Sequence, residues 1–178
     1  MQILPAPLPG VLVFRPTPHR DERGLFVRTF DLAQARELGL PEFVQDSQSR
    51  SRLGTIRGLH GRSGAGEAKL VRCARGAVHD VLVDARPDSP TFGRHEVFRL
   101  DDEAFDQLFV PPGLLHGFQA LTQPADVCYR IDRPHDPAED LAVRFDDADL
   151  DIHWPLPVTS VSERDRAAGS WREVRDRL

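Results

Sequence analysis

Apolar and polar residues alternate in many short runs along the chain, and glycine, proline and aspartate separate these runs. A period of two is typical of β-strands that bury one face. So many short runs, with no long helical period, favour an all-β jelly-roll barrel of antiparallel strands with a few short peripheral helices. We predict strands at Gly10–Phe14, Leu25–Phe30, Phe43–Ser49, Thr55–His60, Lys69–Cys73, Ala77–Asp84, Arg94–Leu100, Gln107–Val110, Gly117–Leu121 and Asp126–Asp132.

Capping and turn residues predict the few features that are not strands. Asp31 is a suitable N-cap for a short helix that runs to Leu38, because Gly39 and the proline after it end a helix. The segment 21–24, Asp-Glu-Arg-Gly, predicts the turn that joins the first two strands. The tail, about residues 160–178, is charged and weakly amphipathic, so we predict a short helix packed outside the barrel.

Composition narrows the class of protein. A chain of 178 residues, 40% of them hydrophobic, suits a single domain over 1–178. A net charge of -5 argues against a surface that binds nucleic acid. No segment approaches the about 20 apolar residues that span a bilayer, and the N-terminus lacks a signal-peptide pattern, so we predict a cytoplasmic protein without membrane contact. Cys73 and Cys128 lack metal-site spacing and are predicted to be buried free thiols.

The chain has one lysine, Lys69, and one tyrosine, Tyr129, beside twenty-two arginines and ten phenylalanines. Arginine does not replace a compact ammonium, and phenylalanine does not replace a phenol that donates a proton. Strand alternation places Tyr129 on a face with Val127 and Ile131, and Lys69 on a face with Val71. A buried core tyrosine is the alternative for Tyr129, but a lysine on an apolar face indicates a cavity.

Two of the seven histidines, His60 and His116, differ from the rest in the residues that surround them in the sequence. His60 ends the run Arg-Gly-Leu-His, and His116 follows a Pro-Pro-Gly turn that directs the next strand inward. Inward histidines in a jelly roll suggest a metal site, but such sites usually need a His-x-His pair, and Arg62 stands two residues after His60. We therefore predict no metal and no other cofactor.

Specific motifs follow one another along most of the chain. They are 21–26 (DERGLF), 43–46 (FVQD), 57–60 (RGLH), 69–72 (KLVR), 84–93 (DARPDSPTFG), 111–113 (PPG), 116–118 (HGF), 129–130 (YR), 152–155 (IHWP) and 162–165 (SERD). Taken in order, these motifs resemble those of the dTDP-4-dehydrorhamnose 3,5-epimerases and related deoxysugar epimerases of the cupin class. The resemblance implies a metal-free jelly roll, usually a homodimer, that acts on a nucleotide-linked 4-keto-6-deoxyhexose. It also implies that the N-terminal strands, about residues 1–50, reach the partner subunit.

Inversion beside a ketone requires a base on one face of the sugar and an acid on the other. A neutral imidazole suits the base and a protonated phenol suits the acid, so His60 and Tyr129 are the candidates. Lys69 is the candidate that stabilises the enolate charge on the C4 oxygen between the two steps. By resemblance, Asp165 pairs with His60 and holds one tautomer.

The same resemblance implies contacts between substrate and eight further side chains. Arg57 and His116 would lie near the sugar, and Arg164 would approach the diphosphate, which an arginine fork binds well. Arg23 and Phe26 would come from the neighbouring subunit and contact the nucleotide base. For Arg23 and Arg164, the alternative is a solvated charge without a substrate contact. The eight residues are Arg23, Phe26, Gln45, Ser47, Arg57, His116, His135 and Arg164.

Several positions depart from the family pattern. Arg28 stands where a carboxylate is often found, Ser47 where asparagine is usual, and residues 61–68 form a Gly-rich loop in place of a shorter segment. His135 stands where a second tyrosine is common, so inversion of only C3 or only C5 is an alternative to the double reaction. A non-catalytic or metal-dependent sugar-binding cupin is the alternative from a different class.

Overall fold

Thirteen short strands dominate the computed structural model, which describes residues 1–178. Three α-helices, α1 (Leu32–Glu37), α2 (Glu163–Arg166) and α3 (Trp171–Arg175), and a 3-10 turn at Pro137–Glu139 complete the regular structure. None of the helices has the length and apolar character that a bilayer span requires. The strands are β1 (Gln2–Pro5), β2 (Leu12–Arg15), β3 (His19–Asp21), β4 (Gly24–Phe26), β5 (Gln45–Ser51), β6 (Ile56–Arg62), β7 (Lys69–Arg75), β8 (Ala77–Asp84), β9 (His95–Asp101), β10 (Gln107–Val110), β11 (Leu114–Ala120), β12 (Ala125–Ile131) and β13 (Asp140–Ala142).

Two antiparallel sheets form the barrel. The six-stranded sheet has the order β1-β2-β10-β7-β12-β5, and the five-stranded sheet has the order β13-β6-β11-β8-β9. Sequence neighbours therefore often belong to different sheets, as the predicted jelly roll requires. The largest buried apolar cluster joins Val71 and Leu108 of one sheet to Leu82 and Phe118 of the other. The predicted fold class, an all-β cupin-type jelly roll, is confirmed.

Most predicted strands are present, and two segments differ in an informative way. β11 begins at Leu114 and not at Gly117, because the chain leaves the Pro-Pro-Gly turn at Gly113 (φ +84°) and pairs with β8 at once. The predicted strand 25–30 ends at Phe26. Its only partner, β3, is three residues long, so residues 27–30 have no strand to pair with.

The predicted helix caps are confirmed at α1, where the Asp31 carboxylate accepts hydrogen bonds from two backbone N–H groups of the first turn. The tail forms two short helices. Trp171 and Val174 of α3 are buried in a second apolar cluster together with Leu59 and Val81 of the five-stranded sheet. This packing holds the tail on that sheet and brings α2 against β6. Both cysteines are buried free thiols, as predicted.

Candidate active site

Side chains from both sheets and from the tail line one cavity of about 540 Å³. This volume falls in the range of small-molecule sites. The six-stranded sheet contributes Lys69 and Tyr129, the five-stranded sheet contributes His60, and the tail contributes Asp165. The structure therefore brings together all four residues for which a catalytic role is predicted. The remaining lining residues are Ser49, Thr55, Ile56, Arg57, His116, Phe118, Ser160, Ser162 and Arg164.

His60 is paired with the buried carboxylate of Asp165. The distance from His60 Nε2 to Asp165 Oδ1 is 2.7 Å, and Oδ2 accepts a hydrogen bond from the Gly58 N–H at 3.2 Å. Burial opposes ionisation of Asp165, but the hydrogen bonds from His60 and Gly58 outweigh it and lower the pKa of the carboxyl. An ionised carboxylate only accepts, so Nε2 of a neutral His60 carries the proton and Nδ1 is left free to accept one.

Local sequence explains how Asp165 reaches β6. Ser162 is the N-cap of α2, and its hydroxyl accepts a hydrogen bond from the Asp165 N–H at 3.0 Å. Gly58 has a positive φ of +113°, and a Cβ at this position would lie 2.5 Å from the Cα of Gly117 on β11. Only glycine allows this close approach of the two strands, and the Gly58 N–H then points to the carboxylate.

Tyr129 lies on β12 with its ring facing into the barrel. The register pairs Tyr129 with Val71 and pairs Ile131 with Lys69, so the two rare side chains share a face, as alternation predicts. The phenol oxygen is 3.3 Å from the Ser49 hydroxyl. Burial raises the pKa of Tyr129 above its usual value, although the hydrogen bond to Ser49 acts in the opposite direction. The phenol is therefore protonated at neutral pH.

Lys69 is the first residue of β7, and its side chain is 11% exposed. Its Nζ lies 2.8 Å from Oε1 of Glu67, and Oε2 of Glu67 lies 2.6 Å from Nε of Arg62. Glu67 is not among the residues predicted from the sequence to lie at the site. A signal was available, because a lysine on an apolar face needs an anionic partner and Glu67 is the nearest carboxylate along the chain.

A second histidine–carboxylate pair forms part of the wall next to Tyr129. His116 Nε2 lies 2.8 Å from Oδ2 of Asp80, and both side chains are almost fully buried. The His116 and Tyr129 rings are 6.0 Å apart and meet edge to face. His116 is also the cross-strand partner of His60, so the two imidazoles occupy adjacent positions on β11 and β6. No local sequence pattern indicates that Asp80 on β8 pairs with His116.

Besides His116, two of the predicted substrate contacts lie in the cavity wall. Arg57 donates from Nε to the Ser51 hydroxyl at 3.0 Å, which orients its guanidinium. Arg164 reaches the cavity from α2 and forms a 2.6 Å ion pair with Asp140. Gln45 and Ser47 lie on β5 outside the lining, although their register with Ile131 and Tyr129 places them on the same sheet face.

The other three predicted contacts lie away from the cavity wall. His135 is half-exposed, and its Nδ1 accepts a hydrogen bond from Arg62 Nη2 at 2.9 Å. Arg23 and Phe26 lie on the β3–β4 ribbon, where Arg23 pairs with Asp21 at 2.6 Å and Phe26 is 64% exposed. Within one subunit, neither residue of the ribbon contributes to the cavity.

The chain offers no cluster of three or more histidine, cysteine, aspartate or glutamate side chains placed to hold a metal ion. The polar groups of the cavity are arranged as separate pairs. Two imidazoles, one phenol and one ammonium converge on a single space from two sheets. Such an arrangement can remove a proton, deliver a proton and stabilise an oxyanion.

Comparison with known proteins identifies relatives over most of the chain. The family model described as dTDP-4-dehydrorhamnose 3,5-epimerase matches residues 5–173. The enzyme of that name from Methanothermobacter thermautotrophicus is 39% identical over 173 residues, which cover 95% of this chain and 92% of the relative.

Solved structures extend the comparison to the fold. A 4-keto-6-deoxy sugar epimerase from the novobiocin biosynthetic gene cluster of Streptomyces spheroides has a TM-score of 0.94 at 37% identity, covering 99% of this chain and 90% of the other. A 3'-monoepimerase from Streptomyces bikiniensis, in complex with dTDP-quinovose, has a TM-score of 0.90 at 32% identity, covering 98% of this chain and 89% of the other.

Proposed function

Since this chain belongs to the dTDP-4-dehydrorhamnose 3,5-epimerase family, we propose that it inverts C3, C5 or both of a dTDP-linked 4-keto-6-deoxyhexose. The chain is accordingly an isomerase that acts on a nucleotide-linked sugar. One observation carries the proposed mechanism: His60 and Tyr129 line the same cavity from different sheets, with Lys69 beside them.

In the proposed first step, Nδ1 of His60 removes the proton from the carbon next to the ketone. The pair with Asp165 supports this role, because the carboxylate fixes the ring and stabilises the imidazolium that forms. The electrons of the broken C–H bond move to the C4 oxygen. The ammonium of Lys69, whose side chain is largely buried, then stabilises that enolate.

In the second step, Tyr129 delivers a proton to the opposite face of the same carbon, and the enolate electrons form the new C–H bond as the C4 ketone is restored. The phenolate of Tyr129 then regains a proton from solvent, and the imidazolium of His60 releases one. Support comes from the position of Tyr129 on β12, across the cavity from β6, and from its raised pKa, which keeps the phenol protonated before the transfer. We further propose substrate contacts for the residues that the resemblance implies. Arg57 and His116 would contact the sugar and Arg164 the diphosphate, whereas Gln45 and Ser47 would require a substrate that extends along β5.

Deuterium exchange tests this proposal. The protein is incubated in deuterated water with dTDP-linked 4-keto-6-deoxyglucose, and the label is located by NMR and mass spectrometry. Deuterium at C3 and C5 together with inversion at both supports the double reaction. Label at one carbon alone, even after long incubation, establishes the single-centre reaction. No label and no inversion at either carbon rejects the proposed function and leaves a sugar-binding cupin.

A variant separates the acid from the base. Tyr129→Phe should retain substrate binding and exchange but lose inversion, because the base remains and the opposing donor is absent. Loss of exchange together with inversion in this variant would contradict the assigned role of Tyr129. Metal analysis of the purified wild-type protein complements the test. A stoichiometric transition metal, whose removal abolishes inversion, would contradict the mechanism.

Inversion of a single stereocentre is the second candidate. Two observations favour it: one similar structure is that of a 3'-monoepimerase, and His135 lies outside the cavity lining. The second proton transfer would then lack the side chain that a tyrosine at this position could supply. The exchange experiment above decides between the two.

We also propose a homodimer, because Arg23 and Phe26 project from a ribbon that is remote from the cavity of their own subunit. Light scattering should give the mass of two chains. Mixing an Arg23→Ala protein with a Tyr129→Phe protein should then restore part of the activity, since one mixed site would contain no altered residue. A monomer with full activity would contradict this. The cytoplasmic location remains a prediction that cell fractionation would test.

A further inference from the structure

A buried chain of charges connects Lys69 to the turn at residues 133–139. Glu67 joins the two ends, with Oε1 at 2.8 Å from Lys69 Nζ and Oε2 at 2.6 Å from Arg62 Nε. The side chains of Glu67 and Arg62 are 8% and 4% exposed. In such a setting water screens the charges little, so the position of each group depends on the others.

Arg62 is itself fixed at its other nitrogens. Nη1 donates to the Pro134 carbonyl at 3.2 Å, and Nη2 donates to Nδ1 of His135 at 2.9 Å. Glu67 Oε2 has no aligned hydrogen-bond donor, so its interaction with Arg62 is an ion pair. The Glu67 carboxylate therefore forms an ion pair with Arg62 through one oxygen and binds the Lys69 ammonium through the other.

We propose that Glu67, held by Arg62, is a positioning residue, an inference that rests on the proposed function. Glu67 would keep the ammonium of Lys69 in the position from which it stabilises the enolate. Lysine has a flexible four-carbon stem, and a cation stabilises a developing charge best when it is placed in advance. An ammonium has three N–H groups. One directed at Glu67 leaves two for the substrate, and the stem has no freedom to fold away.

The alternative is that Glu67 and Arg62 only close the Gly-rich loop, which in the structure starts after the end of β6 at Arg62 and covers residues 63–68. Independent contacts already do this. Arg133 Nη1 donates to the Gly66 carbonyl at 2.7 Å, the Ala68 N–H donates to Asp132 Oδ1 at 2.9 Å, and the Ser63 N–H donates to a carbonyl of the facing turn at 2.9 Å. Loop closure therefore does not require Glu67, whereas Glu67 is the one carboxylate in ion-pair contact with Lys69.

The test uses variants that change the balance of charge among Arg62, Glu67 and Lys69. Glu67→Gln leaves two buried cations, Arg62 and Lys69, without the anion between them, so they repel and the ammonium is displaced. The double variant Arg62→Gln, Glu67→Gln removes one charge of each sign and leaves an amide oxygen that can accept from Lys69. Arg133→Gln is the control, since it removes the donor to the Gly66 carbonyl and loosens the loop, but leaves both ion pairs of Glu67, with Arg62 and with Lys69, in place.

We expect Glu67→Gln to lower kcat by about 10²-fold, the effect of a displacement of about 1 Å. KM should change little, because Lys69 acts on charge that forms only after proton removal. Deuterium exchange should slow in parallel with kcat. The double variant should recover at least about tenfold in kcat, and Arg133→Gln should keep the wild-type kcat.

Three results would overturn the inference: a wild-type kcat in Glu67→Gln, a double variant as slow as the single one, or an equal loss in Arg133→Gln. If Glu67→Gln does not fold, the double variant alone decides, since it should fold and invert substrate within about tenfold of wild type. Failure of the proposed function is distinguishable, because the wild-type protein would then exchange no proton at all.

Discussion

Two histidine–carboxylate pairs with nearly the same geometry lie side by side in this barrel, and they differ in exposure. The His60–Asp165 distance is 2.7 Å and the His116–Asp80 distance is 2.8 Å. The His60 side chain is 39% exposed, whereas that of His116 is 5% exposed. Pair geometry alone therefore does not identify a base. An imidazole that exchanges protons with a substrate also needs an open side.

The carboxylates of the two pairs, Asp165 and Asp80, differ in burial and in their hydrogen-bond partners. Both oxygens of Asp165 have partners, one of them the backbone of Gly58. Asp80 is fully buried, and its Oδ1 has no partner. Removing one member of a buried pair leaves the other without compensation, so the His116–Asp80 pair is expected to matter first for stability. The His60–Asp165 pair is expected to matter first for rate. Four measurements test this division.

The largest effect is expected for His60→Ala. It should lower kcat by about 10⁴-fold, the upper end of what a general base supplies, and it should abolish deuterium exchange at the substrate. His153→Ala, at an exposed position away from the cavity, is the control and should retain the wild-type rate. Exchange at the wild-type rate in His60→Ala would show that the more exposed imidazole is not the base.

The next effect concerns stability. Asp80→Ala should lower the free energy of unfolding by about 3 kcal/mol, because it leaves His116 buried without its partner. Urea denaturation of the variant and of the wild type, fitted with a common slope, measures this loss. If Asp80→Ala unfolds at the wild-type urea concentration but has lost its activity, the division between the two pairs is wrong.

Asp165→Asn should change the reaction rate, by less than His60→Ala does. We expect kcat to fall by about 10²-fold, because an amide no longer imposes the tautomer with a free Nδ1 or stabilises the imidazolium. KM should remain close to that of the wild type, because the carboxylate pairs with His60 and lies behind the ring. Steady-state kinetics give both values. A large rise in KM with an unchanged kcat would instead assign Asp165 to substrate binding.

The site residues also differ in whether they could be predicted from the sequence, because some depend on local alternation and others on contacts between distant segments. Lys69 and Tyr129 were predicted from their rarity and from alternation, because a period of two fixes which residues share a face. Asp165 came only from resemblance, since its contact with His60 spans 105 residues. Asp80 was missed for a related reason. It lies 36 residues from His116, and strand alternation does not reveal which strands become neighbours.

The smallest effect is the dependence of stability on pH. The pKa of Asp165 is lowered in the folded protein, because its hydrogen bonds outweigh the effect of burial. The carboxylate therefore stabilises the fold above the usual aspartate pKa of about 3.9, and this contribution disappears as the pH falls through the lower folded value. The Tm difference between the wild type and Asp165→Asn should thus shrink as the pH falls below about 4. Thermal melts at several pH values measure it, and a difference that stays constant would mean that Asp165 gains no stabilisation from being ionised beside the open histidine.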